Sequence, residues 1–156
     1  MTEGETARLI AWAAEMRAVH ERLRSALRIS QEAAADGRDL PQPGRELLLF
    51  CHGFCSALEG HHRGEDSLLF PAVEAEHPDL SPRLRKLEQD HAMIGTLLAG
   101  LQSAVDAPAD PLAIGRHLDG LAAIVESHFA FEERTLNDVL DRLDLHAEVA
   151  DVFGPL

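Results

Sequence analysis

Histidine and carboxylate recur in this chain at a spacing suited to gripping a metal ion. In the block His61-His62-Arg63-Gly64-Glu65-Asp66-Ser67-Leu68-Leu69-Phe70-Pro71, His61 precedes Glu65 by four positions, and His128 stands in the same relation to Glu132. On a helix, two such side chains share one face about 6 Å apart along the axis, within reach of a single metal centre. One pair of this kind is commonly a solvated ion pair. Here both pairs continue apolar stripes: Leu47, Cys51, Phe54 and Leu58 run on into His61, Glu65 and Leu68, and Ile114, Leu118, Leu121 and Val125 run on into His128, Glu132 and Val139. The core-facing stripe turns from apolar to ligand-like, and such groups are costly to bury without a partner.

Two further histidines interrupt two further stripes. His20 falls among Leu9, Met16, Leu23 and Leu27, and His91 among Leu84, Leu87, Ile94, Leu98, Leu101 and Val105. Four amphipathic segments thus each place a histidine in the seam, and two of them add a carboxylate one turn later. Imidazole with carboxylate, and no thiolate, suits iron or manganese better than a structural zinc site. Cys51 and Cys55 read as buried small hydrophobes. Four positions apart on one helix, they are poorly placed for a disulfide, and Cys51 sits about two and a half turns before His61.

Positioning these side chains requires long helices. Thr2 and Glu5 have capping-box spacing, so a first helix is expected from there to about Ala35, followed by a loop over 36–44. A second helix should run to about Glu76, kinked or broken at Pro71, and His77-Pro78 ends it. Ser81-Pro82 reads as a cap and first-turn proline opening a third helix to about Val105. Asp110-Pro111 repeats that signal for a fourth helix to about Leu143. With 4% aromatic residues, no tyrosine and no β-rich segment, the expected fold is all-α: an antiparallel up-down-up-down four-helix bundle over residues 1–143. Residues 144–156, carrying Val149, Val152 and Phe153, form a tail or short helix with two open placements, over one end of the bundle or against another subunit.

A chain of 156 residues suffices for one domain with a substantial core. The formal net charge of -13 argues against nucleic acid and anionic membrane as partners. Neither a secretory signal pattern nor a membrane-spanning apolar run is present, so a soluble cytoplasmic protein is expected. A homodimer is compatible with the acidic surface and apolar tail.

These features, in this order along nearly the whole chain, resemble the hemerythrin family, specifically its HHE cation-binding members. The matching residues are His20, His61-x-x-x-Glu65-Asp66-x-x-Leu69-Phe70-Pro71, Asp90-His91-x-x-Ile94 and His128-x-x-x-Glu132-Glu133. The resemblance implies two non-haem iron ions, oxo- or hydroxo-bridged, with Glu65 and Glu132 as bridging ligands and His20, His61, His91 and His128 as terminal ones. Manganese or zinc would suit the same donors. The family's oxygen carriers have a fifth histidine one turn after the third-helix ligand, where this chain has Gly95. That departure implies a four-histidine centre with positions open to water, O2, peroxide or nitric oxide. The expected function is to bind or sense O2 or a related small molecule. The alternatives are a di-iron enzyme that consumes peroxide or nitric oxide or oxidises an organic substrate, and an iron store.

Around this set, His62 and Asp66 repeat the four-residue spacing one position round the helix, an alternative register to His61 and Glu65; since only the latter continue the apolar series, His62 and Asp66 read as orienting groups. Glu88, one turn before His91, reads as an exposed or orienting carboxylate, with an extra ligand as the alternative, and Glu133 as an arginine's partner. Trp12 and Phe129 read as packing, and His52, His77, His117 and His146 as surface residues or caps.

Overall fold

Apolar residues at helical spacing leave one stripe of each long segment in need of cover, and the long helices supply it to one another. The computed structural model describes residues 11–107 and 110–154, and every regular element among them is helical. In chain order these are α1 (Trp12–Asp36), α2 (Arg45–Gly64), a π-helical turn (Glu65–Leu69), α3 (Phe70–Glu76), a 3₁₀ turn (Pro78–Leu80), α4 (Ser81–Asp106), α5 (Pro111–Leu140) and the short α6 (Val149–Phe153). Helix α1 packs on α2 and α5, and α4 packs on the same two, so the four long helices enclose one interior. Met16, Leu23, Phe54, Leu58, Leu84, Leu87, Ile94, Leu118 and Leu121 fill it. Each such side chain contributes about 1.5–3 kcal/mol on burial, which offsets the placement of a few polar groups at mid-height.

The helix ends follow local chemistry. Asp110 caps α5 as its sequence position predicts: Oδ1 accepts the backbone N–H of Leu112 at 2.6 Å and of Ala113 at 3.1 Å, and Pro111 opens the helix. Ser81 does not cap α4. The preceding 3₁₀ turn already brings Leu80 to φ -85° and ψ -5°, so Ser81 is itself the first helical residue. Its hydroxyl donates to Glu74 Oε1 at 3.0 Å instead. Helix α5 ends at Leu140, short of Leu143, which still packs into the core from the following turn. The Thr2–Glu5 capping box and Leu9 lie outside the described residues.

Pro71 acts on the turn before it. Lacking an N–H and crowding the carbonyl four positions back, a proline disturbs the α-helical ladder there. The helix responds by widening: the Phe70 N–H bonds the carbonyl of Glu65, five positions back. This inserts one residue into the register and rotates the downstream face by about 100°. Leu68, expected in the buried stripe, is consequently 38% exposed, whereas Leu69 and Phe70 are fully buried. On α5, Leu136 and Leu140 take the buried positions and Val139 is only partly covered.

Helix α6 lies over α2, the π turn and α1 of its own chain. Phe153 meets Trp12 edge-on at 5.9 Å between ring centroids. No helix among the described residues is long and apolar enough to cross a membrane.

Candidate metal centre

Each of the four long helices, and the π turn, delivers ligand-type side chains to one level of the interior. His20 comes from α1, His61 and His62 from α2, Glu65 from the π turn, His91 from α4, and His128 and Glu132 from α5. All seven are buried, Glu65 and Glu132 completely. The six residues singled out by the sequence therefore come together, and His62 joins them.

They form two adjoining groups that share Glu65. In one, ligand atoms of His20, His61, Glu65 and Glu132 all lie within 4.8 Å of one another; in the other, those of His62, Glu65, His91 and His128 do so. Nε2 atoms converge on carboxylates: His20 on Glu132 at 3.3 Å, His61 on Glu65 at 3.2 Å, His128 on Glu132 at 3.3 Å and His91 on Glu65 at 3.4 Å. Nε2 of His91 also faces Nε2 of His128 at 3.1 Å. Glu132 reaches both groups, since Oε2 is 3.9 Å from His91 Nε2.

The donor set fits a cation. Among the described residues, the buried side-chain nitrogen and oxygen atoms without a hydrogen-bond partner all belong to this cluster: both ring nitrogens of His20, Nε2 of His61 and His62, and both oxygens of Glu65 and Glu132. Each buried polar atom left unpaired costs about 1–3 kcal/mol. So dense a concentration at one level calls for positive charge among the oxygens and nitrogen lone pairs.

The Nδ1 atoms of His61, His91 and His128 have hydrogen-bond partners, and that of His20 has a carboxylate at ion-pair distance. His91 Nδ1 lies 2.7 Å from Asp66 Oδ1, His128 Nδ1 3.2 Å from Asp90 Oδ2, and His20 Nδ1 3.4 Å from Glu133 Oε1. His61 Nδ1–H donates to the backbone carbonyl of Phe153 at 3.0 Å. Such contacts fix ring orientation and tautomer, leaving Nε2 free to act as a ligand. Lys86 pairs with Asp90, and Arg24 binds Glu133 at 3.2 Å and Glu126 at 2.8 Å.

Electrostatics show how the bare cluster holds its protons. Burial, with repulsion from His20, pushes His61 down to about 3, and burial likewise drives His62 well below the usual imidazole range. Burial and then the charge of Glu132 raise Glu65 well above the usual carboxylate range. For Glu132, burial is outweighed by its contacts with Glu65, His128, His20 and His91, and it stays ionised. Burial of His91 is outweighed by Asp66, Glu132 and Glu65, which raise it to about 11. Protons on Glu65 and His91 thus stand where a cation would replace them.

The two groups have different surroundings. His20 stacks on Phe129 at 3.9 Å and 6°, and His61 is covered by Phe153 at 5.7 Å; both histidines are fully buried. His62 and His91 stack on one another at 3.8 Å and 11°. They form the floor of an open groove between α2 and α4, edged by Glu59, Arg63, Asp66, Glu88 and Gly95.

The other candidates fall into place around this centre. A Cβ on Gly95 would meet nothing within 4 Å. Glu88 pairs with Arg85 at 3.3 Å, and Glu133 has the expected arginine partner, Arg24. His146 is 84% exposed beside Asp144, and His52, also exposed, meets Gln102 at 2.9 Å. Cys51 and Cys55 are free and buried, their thiols raised to about 11 and 12, chiefly by burial.

The sequence reading placed His62 among the orienting groups rather than the ligands because a stripe argument admits one residue per turn. The available signal was that Glu65 lies four positions after His61 and three after His62, both spacings that share a helix face. Asp90 carried no assigned role, and the Phe153 carbonyl left no residue-type signal.

A family model described as the hemerythrin HHE cation binding domain matches residues 13–140. Comparisons with curated proteins and with solved structures gave no match.

Proposed function

The chain belongs to the hemerythrin HHE cation-binding family, and from that premise we propose that its buried cluster holds two non-haem iron ions and binds or senses O2 or a related small molecule such as peroxide or nitric oxide. The observation that carries this reading is the concentration of unpartnered buried ligand atoms in two groups sharing Glu65. His20, His61 and Glu132 would hold one ion with Glu65. His62, His91 and His128 would hold the other, Glu132 reaching across as the second bridge. His62 thereby makes five histidines where the sequence suggested four, standing in for the residue absent at Gly95. Iron bound there would supply open coordination positions for an incoming ligand. The chain's own residues orient the imidazoles, exclude bulk water behind Phe129 and Phe153, and leave the groove over His62 and His91 as the approach.

The same reading extends to the scaffold. Arg17 meets Asn137, Arg24 meets Glu126 and Gln31 meets Asp119, so residue numbers rise along α1 as they fall along α5. These pairings support an antiparallel up-down-up-down bundle ending near residue 143, with 144–156 as a tail laid over it.

Iron-loaded, reduced protein exposed to O2, peroxide or nitric oxide, followed by its optical spectrum, tests the function. A reversible spectral change at one ligand per chain is the expected result. Repeated consumption of peroxide or nitric oxide would make the protein an enzyme, and iron uptake well beyond two ions per chain a store; either would overturn the binding reading.

A further inference from the structure

We propose that helix α6 is a working part of the metal centre: docked on α2, it positions His61 through the backbone carbonyl of Phe153. This rests on reading the cluster as a metal centre. The segment lies beyond residues 13–140, outside the family's matched range.

A carbonyl oxygen can only accept. Its contact at 3.0 Å therefore puts the proton of His61 on Nδ1 and leaves the lone pair on Nε2. That Nε2 is the atom facing Glu65 at 3.2 Å. His20, His91 and His128 have carboxylates in the corresponding place, all from within the bundle. His61 instead depends on a residue far along the chain, whose neutral oxygen fixes the tautomer without adding another buried negative charge.

The docking is shaped on both sides by glycine. Gly64, the last residue of α2, is overlaid by the carbonyl of Val152 so closely that a Cβ there would collide with it. Gly154, at φ 87°, turns the chain against the backbone of α2, where an added Cβ would come within 3.0 Å of His61 N. Between them, Phe153 is fully buried, with its ring 5.7 Å from that of His61 at 27°. Loose apolar cover would require neither glycine. These contacts hold one carbonyl at one imidazole nitrogen.

Releasing α6 should therefore act on the ligand itself. Groups that orient metal-bound histidines are typically worth about 10- to 100-fold in metal affinity. The test uses the full-length Gly64→Ala protein, in which alanine favours helix α2 and its Cβ collides with α6. Gly154→Val loosens the same contact from the other side and serves if the first variant fails to fold. Two readouts are taken: Co(II) titration of the metal-free protein, and the histidine ring tautomers from ¹⁵N NMR of that protein. Expected are loss of the Nδ1–H form of His61 and Co(II) affinity lower by about ten-fold or more, with helicity retained. An unchanged tautomer and unchanged affinity in the variants would overturn the proposal. Wild-type protein that takes up no Co(II) would refute the metal centre itself, and the tautomer signal would still decide whether α6 positions His61.

Discussion

The two halves of the cluster use the same ligand chemistry in opposite surroundings. Around His20 and His61 the neighbours are rings, Phe129 and Phe153, with complete burial. Around His62 and His91 the neighbours are an open groove and the carboxylate Asp66 at its edge, while Asp90 pairs with His128 beside them. The difference separates two tasks that one bundle interior must perform. Apolar walls bury one half, and the other half borders the groove while contacts with carboxylates keep its imidazoles in line.

Glu65 joins the halves, so removing it should have the largest effect. Glu65→Ala is expected to abolish uptake of both metal ions, read as metal per chain by elemental analysis. His62→Ala should instead cost the groove-side ion while the enclosed side keeps its own. Retention of both ions in His62→Ala would show that the five-histidine arrangement is mistaken. One step weaker, Asp90→Asn removes the carboxylate behind His128 and should lower metal affinity by about 10- to 100-fold, measured by competition with a chelator.

Acid should discriminate less sharply but in a defined direction. His91, raised to about 11, holds a proton near neutrality in the metal-free state, and the upward shift of Glu65 favours its keeping one. A metal must displace them, so uptake at pH 7 should release protons and affinity should rise from pH 5 to pH 8. Titration in weakly buffered solution with a pH indicator measures this, and no proton release would count against the assignment of His91. His61 works on stability in the same direction. Its folded-state value near 3 lies below the ordinary 6.5, so between those values the unfolded chain binds the extra proton. Its contribution to the metal-free fold is therefore lost as pH falls from about 6.5 toward 3.

The smallest effect on metal content is expected at the groove. Gly95 has room for a side chain. Gly95→His should leave two ions bound while crowding the approach to His62 and His91. The expected result is slower ligand entry and a longer-lived O2 complex by stopped-flow spectroscopy, and unchanged kinetics would remove the groove as the route.

Much of this was legible in the sequence, for identifiable reasons. The 3.6-residue period set the helices, and Asp110-Pro111 marked a start that the cap bonds bear out. His20, His61, Glu65, His91, His128 and Glu132 were visible because each continues an apolar stripe. What escaped depended on departures from that period or on atoms without residue identity. The widened turn before Pro71 moved Leu69 into the core in place of Leu68. A four-helix interior admits adjacent positions on one helix, and so took in His62 beside His61. The carbonyl of Phe153 is the same atom in every residue, and only tertiary contact could reveal it.

The central claim is that the cluster is a two-ion centre, and metal content tests it most directly. Protein purified with iron and assayed for metal per chain should contain two ions in the wild type and in His146→Ala, and markedly fewer in His61→Ala and His128→Ala. Equal metal content in all four proteins would contradict the account.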